Sequence, residues 1–304
     1  MRLVTFRNRG ATEGTRIGVQ REASVVDVAK LAVGGSAPEL RDMLALIDAG
    51  APALRRLETL ITSAPADALL PLDAVELLAP IPRPRKNIFC VGRNYAEHAA
   101  ESLRAIGQEV TVTETPNIFT KAVTTVAGPY ADIPLDPGIS DQLDWEVELG
   151  VVIGQAGRHI RKEDALAHVF GYTVVNDISA RDIQHRTGLQ WFLGKSLDGT
   201  CPMGPCLVTA DELPDPQALR LHLEVNGVTK QDSTTDQMLF DVAAIIAALS
   251  EVLTLEQGDI IATGTPSGVG FGRTPKEFLR PGDLMESTIE GIGTLRNRIV
   301  LVER

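Results

Sequence analysis

Short runs of apolar residues, many of them alternating with polar ones, recur beyond residue 85 and predict a fold made mainly of β-strands. In a strand, successive side chains point to opposite faces, so a period of two marks a strand with one buried face. The runs lie at 87–92, 117–123, 144–154, 171–177, 203–210, 219–227, 259–266, 284–295 and 296–303. Because they are numerous and closely spaced, they favour a mostly β, sandwich- or barrel-like body over regular βαβ repeats.

Helical spacing of apolar residues is confined to a few segments, so the fold class predicted is α+β with strands in the majority. Beyond residue 85 this spacing predicts helices near 95–106, 162–169 and 239–253, the first of them closed by Gly107. The dipeptide Asn226–Gly227 indicates a hairpin turn within the strand-rich part.

The first 80 residues have a pattern of their own, which predicts a small α/β domain. Strand-like runs at 1–8 and 15–20 precede helical patterns at 24–32, 39–50 and 51–63, with Ala49–Gly50 as a stop signal. Prolines at 80, 82 and 84 then force an extended connection. We therefore predict an N-terminal domain of residues 1–80 and a catalytic or binding domain of residues 81–304.

The composition narrows the class of protein. Hydrophobic residues make up 44% of the 304 residues, which supplies an ordinary globular core, and the formal charge of −11 argues against a nucleic-acid binder. The most apolar segment, 242–249, is far shorter than a membrane span, and the first residues lack a secretory pattern. Three scattered cysteines do not make a disulfide framework. These features predict a cytoplasmic protein without a nucleic-acid or membrane partner.

Two glutamates inside the apolar run 144–154 are the first candidates for chemistry. Glu146 and Glu148 are two residues apart, so in a strand both carboxylates share one face and could converge on a cation. Asp177 follows a buried strand and would make a third ligand. Three carboxylates without His or Cys favour Mg²⁺ or Mn²⁺ over Zn²⁺. The spacing alone is equally consistent with a structure in which the two glutamates lie on a solvated strand face and Asp177 caps a helix.

A histidine and several donors form the remaining candidates. His98 and Glu101 are neighbours on one helical face, as in a general-base pair or an ordinary surface ion pair. Arg181, Gln184 and Lys195 bring donors just downstream of Asp177. The glycine-rich segment 264–273 lacks the features of a nucleotide-binding loop, so its N–H groups and the Thr265 hydroxyl are better suited to hold a carboxylate.

These segments together resemble the fumarylacetoacetate hydrolase family. The stretches VGRNYAEHAAE, FTKAVTTVAGP, DWEVELGVVIG, GYTVVNDISARDIQ, QWFLGKS and GDIIATGTPSGVG are similar to its successive signatures and occur in its order, between about Lys86 and Val302. The resemblance implies a β-rich catalytic fold, a mixed β-sandwich or β-roll, that is commonly a homodimer. It also implies Mg²⁺ or Mn²⁺, sometimes Ca²⁺, held by Glu146, Glu148 and Asp177.

The resemblance also implies roles for other residues. His98 matches the catalytic histidine and Glu101 its partner acid, whereas Lys121, Gln184, Lys195 and Thr265 match positions around the substrate's carboxylate and oxo groups. We expect Lys195 to act in catalysis as well and Arg181 to bind substrate. Glu286 matches an acid that helps to position water in longer members. Those members add a metal-binding aspartate where this chain offers Asn94, which makes fumarylacetoacetate itself a less suitable substrate.

The family carries out several reactions through one kind of intermediate, an enolate of pyruvate type. We expect first a hydrolase that cleaves the C–C bond of a 2,4-dioxo acid such as an acylpyruvate, with water activated by His98 and Glu101. An isomerase, decarboxylase or hydratase of a related 2-oxo acid is the second hypothesis, with 5-carboxymethyl-2-hydroxymuconate and oxaloacetate as examples. A non-catalytic calcium-binding module is the third.

Overall fold

The computed structural model describes residues 1–302 except 32–36, 112, 187 and 189. The strands of the first part are β1 (Arg2–Asn8), β2 (Arg16–Arg21), β3 (Ser24–Asp27), β4 (Leu69–Pro71), β5 (Val75–Leu78), β6 (Ile88–Gly92), β7 (Asn117–Lys121), β8 (Val126–Ala127), β9 (Ile133–Leu135) and β10 (Leu143–Asp144). Those of the second part are β11 (Val147–Ile153), β12 (Val169–Asn176), β13 (Ser179–Ala180), β14 (Cys201–Thr209), β15 (Arg220–Val225), β16 (Val228–Thr234), β17 (Ile260–Ala262), β18 (Leu284–Ile289) and β19 (Gly293–Leu301).

The α-helices are α1 (Met43–Thr62), α2 (Ala96–Ala105), α3 (Arg181–Arg186), α4 (Phe192–Lys195) and α5 (Val242–Val252). Short 3₁₀ segments lie at Val28–Lys30, Pro38–Leu40, Ala66–Ala68, Leu72–Ala74, Val123–Thr125, Lys162–His168, Ala210–Glu212, Thr235–Gln237 and Gly270–Gly272. No helix of the described residues has the length and apolarity needed to cross a membrane. The mostly β, mixed-sheet fold predicted from the sequence is confirmed.

One large mixed sheet organises the molecule. Its strand order is β4-β3-β2-β1-β14-β12-β11-β17-β6-β7, with β5 paired to β1 and β8 paired to β14. A second sheet, β16-β15-β18-β19-β9, lies against β11, β12 and β14. Every residue of β11 and β12 is buried, because the second sheet covers one face and α1 belongs to the apolar cluster on the other. This double cover leaves both strands without a solvent-exposed face.

The N-terminal strands continue the large sheet. Leu3 of β1 pairs with Leu207 of β14, so residues 1–80 share backbone hydrogen bonds with the rest of the chain. The predicted division at residue 80 stays a prediction. Helix α1 is interrupted at the expected stop signal, because Gly50 has φ 60° and ψ −150°, a conformation that residues with a Cβ rarely adopt.

Two local predictions from the sequence are wrong. Residues 24–27 form a strand rather than a helix, because the β-branched Val25 and Val26 are buried and pair with β2. The run 284–295 is two strands, since the chain reverses around Gly291, which has φ +76°. The helix predicted near 162–169 is present as a 3₁₀ helix at Lys162–His168. The predicted strands at 87–92 and 117–123, the helix closed by Gly107 and the hairpin at Asn226–Gly227 are confirmed.

The packing of helix α5 into the main hydrophobic core can be tested by mutation. Ile246 is 0% exposed in the main core cluster, whereas Val252 at the end of the same helix is 72% exposed. We expect Ile246→Ala to lower the free energy of unfolding by about 2–5 kcal/mol through loss of buried area and an unfilled cavity. The control Val252→Ala should change it by less than about 0.5 kcal/mol. Denaturant unfolding of both variants measures the difference, and equal effects would contradict the packing described.

Candidate metal centre and active site

Strand pairing brings three carboxylates to one buried spot. Val147 at the start of β11 pairs with Asn176 at the end of the antiparallel strand β12. Glu146 and Glu148 flank the first position, and Asp177 follows the second. A carboxylate oxygen from each of the three lies within 4.8 Å of one from each of the others, and all three side chains are buried. The geometry could hold one metal ion between oxygen ligands.

Two lysines neutralise part of this cluster. Lys195 Nζ donates to Glu146 Oε2 at 2.5 Å and to Asp177 Oδ2 at 2.7 Å. Lys121 Nζ lies 2.8 Å from Asp177 Oδ1 as an ion pair, although that oxygen accepts no hydrogen bond. Both lysines are buried. Buried charges of this kind persist only when they are paired, so the lysines are part of the centre itself.

Glu148 is the one of the three carboxylates without a lysine partner. Its Oε2 accepts the Gly264 N–H at 2.8 Å. Burial, followed by the negative charges of Asp177 and Glu146, raises the pKa of Glu148 well above its ordinary value. Burial alone would also raise the pKa of Glu146, but the charges of Lys195 and Arg181 outweigh it and lower that pKa to about 2. The centre therefore has a carboxylate that an added cation would keep ionised.

His98 lies on α2 and faces the same cavity as Glu146 and Glu148. Its Nδ1 is 3.1 Å from Glu101 Oε1. The Glu101 carboxylate in turn accepts hydrogen bonds from the backbone N–H groups of Gly268 at 3.1 Å and Val269 at 3.3 Å. An accepting carboxylate places the histidine proton on Nδ1 and makes Nε2 the acceptor nitrogen. Nε2 has the Ser102 hydroxyl 3.4 Å away.

The glycine-rich segment binds carboxylates of the chain itself. Besides Glu101, it holds Glu148 through Gly264 and Asp144 through the N–H groups of Gly270 and Phe271. The segment requires glycine at 268, where φ is +105° and a Cβ would lie 2.0 Å from the Lys230 carbonyl oxygen. One loop thus fixes the acid behind His98 and a carboxylate of the metal centre together.

Arg181 orders the donors on the other side of the cavity. Its guanidinium donates to Asp144 and to Glu146, both at 2.7 Å, and to Gln184 Oε1 at 2.9 Å. Since the Gln184 oxygen accepts from Arg181, its amide N–H groups are left to face the cavity that the residue lines. The Thr265 hydroxyl, by contrast, donates to the Val147 carbonyl and accepts from Gln231, so it is already engaged.

Most of the residues singled out from the sequence meet in this one cavity. Those that line it are His98, Glu146, Glu148, Arg181, Gln184, Lys195 and Thr265. Lys121 and Asp177 lie behind them, fully buried. Glu101 is not part of the cavity lining but contacts His98 at Nδ1. Their roles in binding and catalysis stay predictions.

Two positions carried over from the family do not join the site. Glu286 lies on β18, pairs with Arg296 at 2.6 Å and lines a separate, larger surface groove. The side chain of Asn94 is occupied by the backbone of Phe240 and Thr263, so it ties together two segments of the chain.

Sequence reasoning missed two residues that hold the site together. Asp144 accepts from Arg181, Gly270 and Phe271, and its position at the start of DWEVE was a signal that could have been used. Gln231 accepts the Val147 N–H and donates to Thr265 and Pro266, which joins β16 to β11 and the glycine-rich segment. Its sequence surroundings carried no signal of that contact.

Comparisons with known proteins identify the relatives of this chain. Residues 87–300 match the family described as fumarylacetoacetate hydrolase, C-terminal. The oxaloacetate tautomerase YisK of Bacillus subtilis is 51% identical over 228 residues, which are 75% of this chain and 74% of that protein. A fumarylacetoacetate hydrolase structure from Exiguobacterium antarcticum has a TM-score of 0.82 at 38% identity and covers 99% of this chain and 100% of its own.

A further solved structure shows a similar chain with a metal. The maleylpyruvate hydrolase of Sphingobium sp. SYK-6, in complex with manganese(II) and pyruvate, has a TM-score of 0.78 at 29% identity, with both chains covered fully. The sequence match, the shared fold and the buried acidic cluster lead to one conclusion. The chain belongs to the fumarylacetoacetate hydrolase family.

Proposed function

We propose that the protein is a metal-dependent enzyme that interconverts the keto and enol forms of a 2-oxo acid, with oxaloacetate as the first substrate to test. The observation that carries the proposal is that His98, oriented by Glu101, opens into the same cavity as the buried Glu146 and Glu148. The 51% identity to an oxaloacetate tautomerase over 75% of the chain favours this reaction over the hydrolysis expected first.

The donor set fits a divalent cation held by Glu146, Glu148 and Asp177. The three ligands are all carboxylates, which favours Mg²⁺ or Mn²⁺, with Ca²⁺ as a further candidate. Glu146 and Asp177 each pair with a lysine, whereas Glu148 has no cationic partner among the described residues. The manganese(II) in the maleylpyruvate hydrolase structure supports the same choice.

Charge counting supports an anionic substrate. Four buried carboxylates meet here, from Asp144, Glu146, Glu148 and Asp177, and three buried cations oppose them, from Lys121, Arg181 and Lys195. The net charge is −1 with all groups ionised, and one divalent cation changes it to +1. A site of net positive charge attracts a 2-oxo acid. A divalent cation, when bound, supplies Lewis-acid polarisation of a carbonyl oxygen.

The side chains can move the proton that the reaction requires. His98 Nε2 takes a proton from C3 of the keto form, and the 2-oxygen gains one as the enol forms, so no atom is lost or gained. Glu101 holds the Nδ1 proton and stabilises the imidazolium between these steps. Lys195 uses two of its three N–H groups on Glu146 and Asp177, which leaves the third for the oxygen where charge develops.

Hydrolysis of an acylpyruvate is the second candidate. In that reaction His98 would take its proton from a water that attacks the 4-carbonyl, and the same donors would stabilise the departing pyruvate enolate. The similarity to a maleylpyruvate hydrolase with bound pyruvate favours it. A non-catalytic calcium module is the weakest hypothesis, because such a module has no use for the ordered His98–Glu101 pair. The homodimer, the cytoplasmic location and the two-domain division remain proposals.

A substrate panel tests the reaction. We expect the protein with Mg²⁺ or Mn²⁺ to accelerate the keto–enol interconversion of oxaloacetate, followed by enol absorbance, and EDTA to abolish the effect. His98→Gln should lower kcat by about 10²- to 10⁴-fold because it removes the proton acceptor. The exposed His159 provides a matched control, His159→Gln, with unchanged kcat. Cleavage of acetylpyruvate with no effect on oxaloacetate would instead establish hydrolysis.

The Glu148 carboxyl gives a prediction for metal binding and pH. Its raised pKa means that the folded metal-free protein keeps a proton that the unfolded chain releases above about pH 4.5. The free energy of unfolding of chelated protein should therefore fall as pH rises from that value towards the raised pKa. Glu148→Gln should remove this fall and also weaken Mg²⁺ or Mn²⁺ binding by more than about 100-fold.

Calorimetry and denaturant unfolding measure the two effects. In the wild type, metal binding should release protons in that pH range, and affinity should rise with pH because proton and metal compete for Glu148. Glu251→Gln, at an exposed position of α5, is the control and should behave as the wild type. Full metal affinity in Glu148→Gln would contradict the assignment of Glu148 as a ligand.

A further inference from the structure

One side of the cavity carries a cation that the proposed mechanism does not use. Arg93 follows β6 and lines the cavity together with His98 and Glu148. Its guanidinium lies over the Trp191 ring, with Cζ 5.4 Å from the ring centroid. Among the described residues its side chain has no hydrogen-bond or ion-pair partner, and burial without a compensating acid lowers its pKa. A half-buried guanidinium without an acidic partner favours the binding of an anion.

The Trp191 indole ring under Arg93 is packed against other parts of the chain. A Cβ on Gly92 would lie 2.4 Å from Trp191 Cζ3, so the indole ring packs directly on the backbone beside Arg93. Trp191 also meets Phe119 edge to face, with ring centroids 5.3 Å apart. A packed aromatic support reduces the conformational entropy that Arg93 would lose on binding a ligand.

More positive charge lies around a second aromatic residue of the same cavity, Phe271. Lys276 Nζ is 3.6 Å from its ring centroid, and His185 stacks on the ring at 4.7 Å. Partial burial, followed by the positive charges of Arg181, Lys276 and Arg93, lowers the pKa of that imidazole to about 4. The imidazole is therefore neutral near pH 7, and its surroundings are strongly positive.

We propose that Arg93, with Lys276 and His185, binds the second carboxylate of a 2-oxo dicarboxylate and so selects dicarboxylates over neutral analogues. The inference rests on the proposed function, because the first carboxylate and the 2-oxo group must occupy the end of the cavity formed by Glu146, Glu148 and Lys195. The planar fork of Arg93 matches a carboxylate bidentately. Lys276 adds charge, and neutral His185 can donate one N–H.

The test compares oxaloacetate with its 4-ethyl ester, which keeps the 2-oxo acid and replaces the distal carboxylate with a neutral group. The ratio of kcat/KM for the acid to that for the ester measures selection of the distal charge. Arg93→Met keeps the aliphatic stem on Trp191 and should lower this ratio about 10- to 100-fold, as expected for a lost charged hydrogen bond. Arg93→Lys should lower it less, because charge remains without the fork.

The matched control is Arg104→Met, on an exposed residue of α2 outside the cavity, and it should leave the ratio unchanged. Lys276→Met should lower the ratio by a smaller factor than Arg93→Met. Should Arg93→Met fail to fold, Arg93→Lys and Lys276→Met carry the test. A ratio that is the same in the wild type and in these variants would overturn the distal site while leaving the proposed function intact. Failure of the wild type to act on either compound would instead remove the proposed function.

Discussion

The whole site depends on the burial of three carboxylates within 4.8 Å of one another. Bringing like charges together away from water is unfavourable by several kcal/mol per ion unless cations compensate. Lys121, Lys195 and Arg181 supply part of that compensation, and all three are as deeply buried as the acids they pair with. The pairing of β11 with β12, covered on both faces, provides the rigid frame that holds the carboxylates against their mutual repulsion.

The glycine-rich segment links this centre to the proton-transfer pair. The Gly264 N–H donates to Glu148 and the Gly268 N–H donates to Glu101. The Asp144 carboxylate accepts hydrogen bonds from the Gly270 N–H and from the Arg181 guanidinium. The loop therefore holds side chains from α2 and from β10 and β11 in one arrangement. A shift of this loop would change the orientation of His98 and the position of a carboxylate of the metal centre together. The backbone N–H groups of such a loop are suited to anions, and here the anions are carboxylates of the chain itself.

Much of this arrangement could be predicted from the sequence, because local patterns encode it. The spacing of Glu146 and Glu148 and the end of a buried strand before Asp177 are properties of neighbouring residues, and the structure brings these residues together. Long-range contacts were beyond such reasoning. Gln231 reaches β11 from β16, and nothing in its neighbourhood indicates that contact. The strand at 24–27 was missed because its valines fit helical spacing equally well, and only pairing with β2 decides between the two.

The difference between local sequence patterns and long-range contacts also explains why the family signature identifies a class of reaction but does not identify the substrate. In the proposed mechanism the carboxylates, Lys195 and His98 act on the 2-oxo acid fragment, which oxaloacetate, acylpyruvates and hydroxymuconates share. Substrate choice depends on what surrounds the rest of the substrate, and the groups proposed for that role come from three separate parts of the chain, at Arg93, His185 and Lys276. The charges of Arg93 and Lys276 lie against two aromatic rings, Trp191 and Phe271, that the fold brings to the cavity. A relative with the same metal centre and a neutral residue at position 93 would keep enolate chemistry while losing the reason to prefer a second carboxylate.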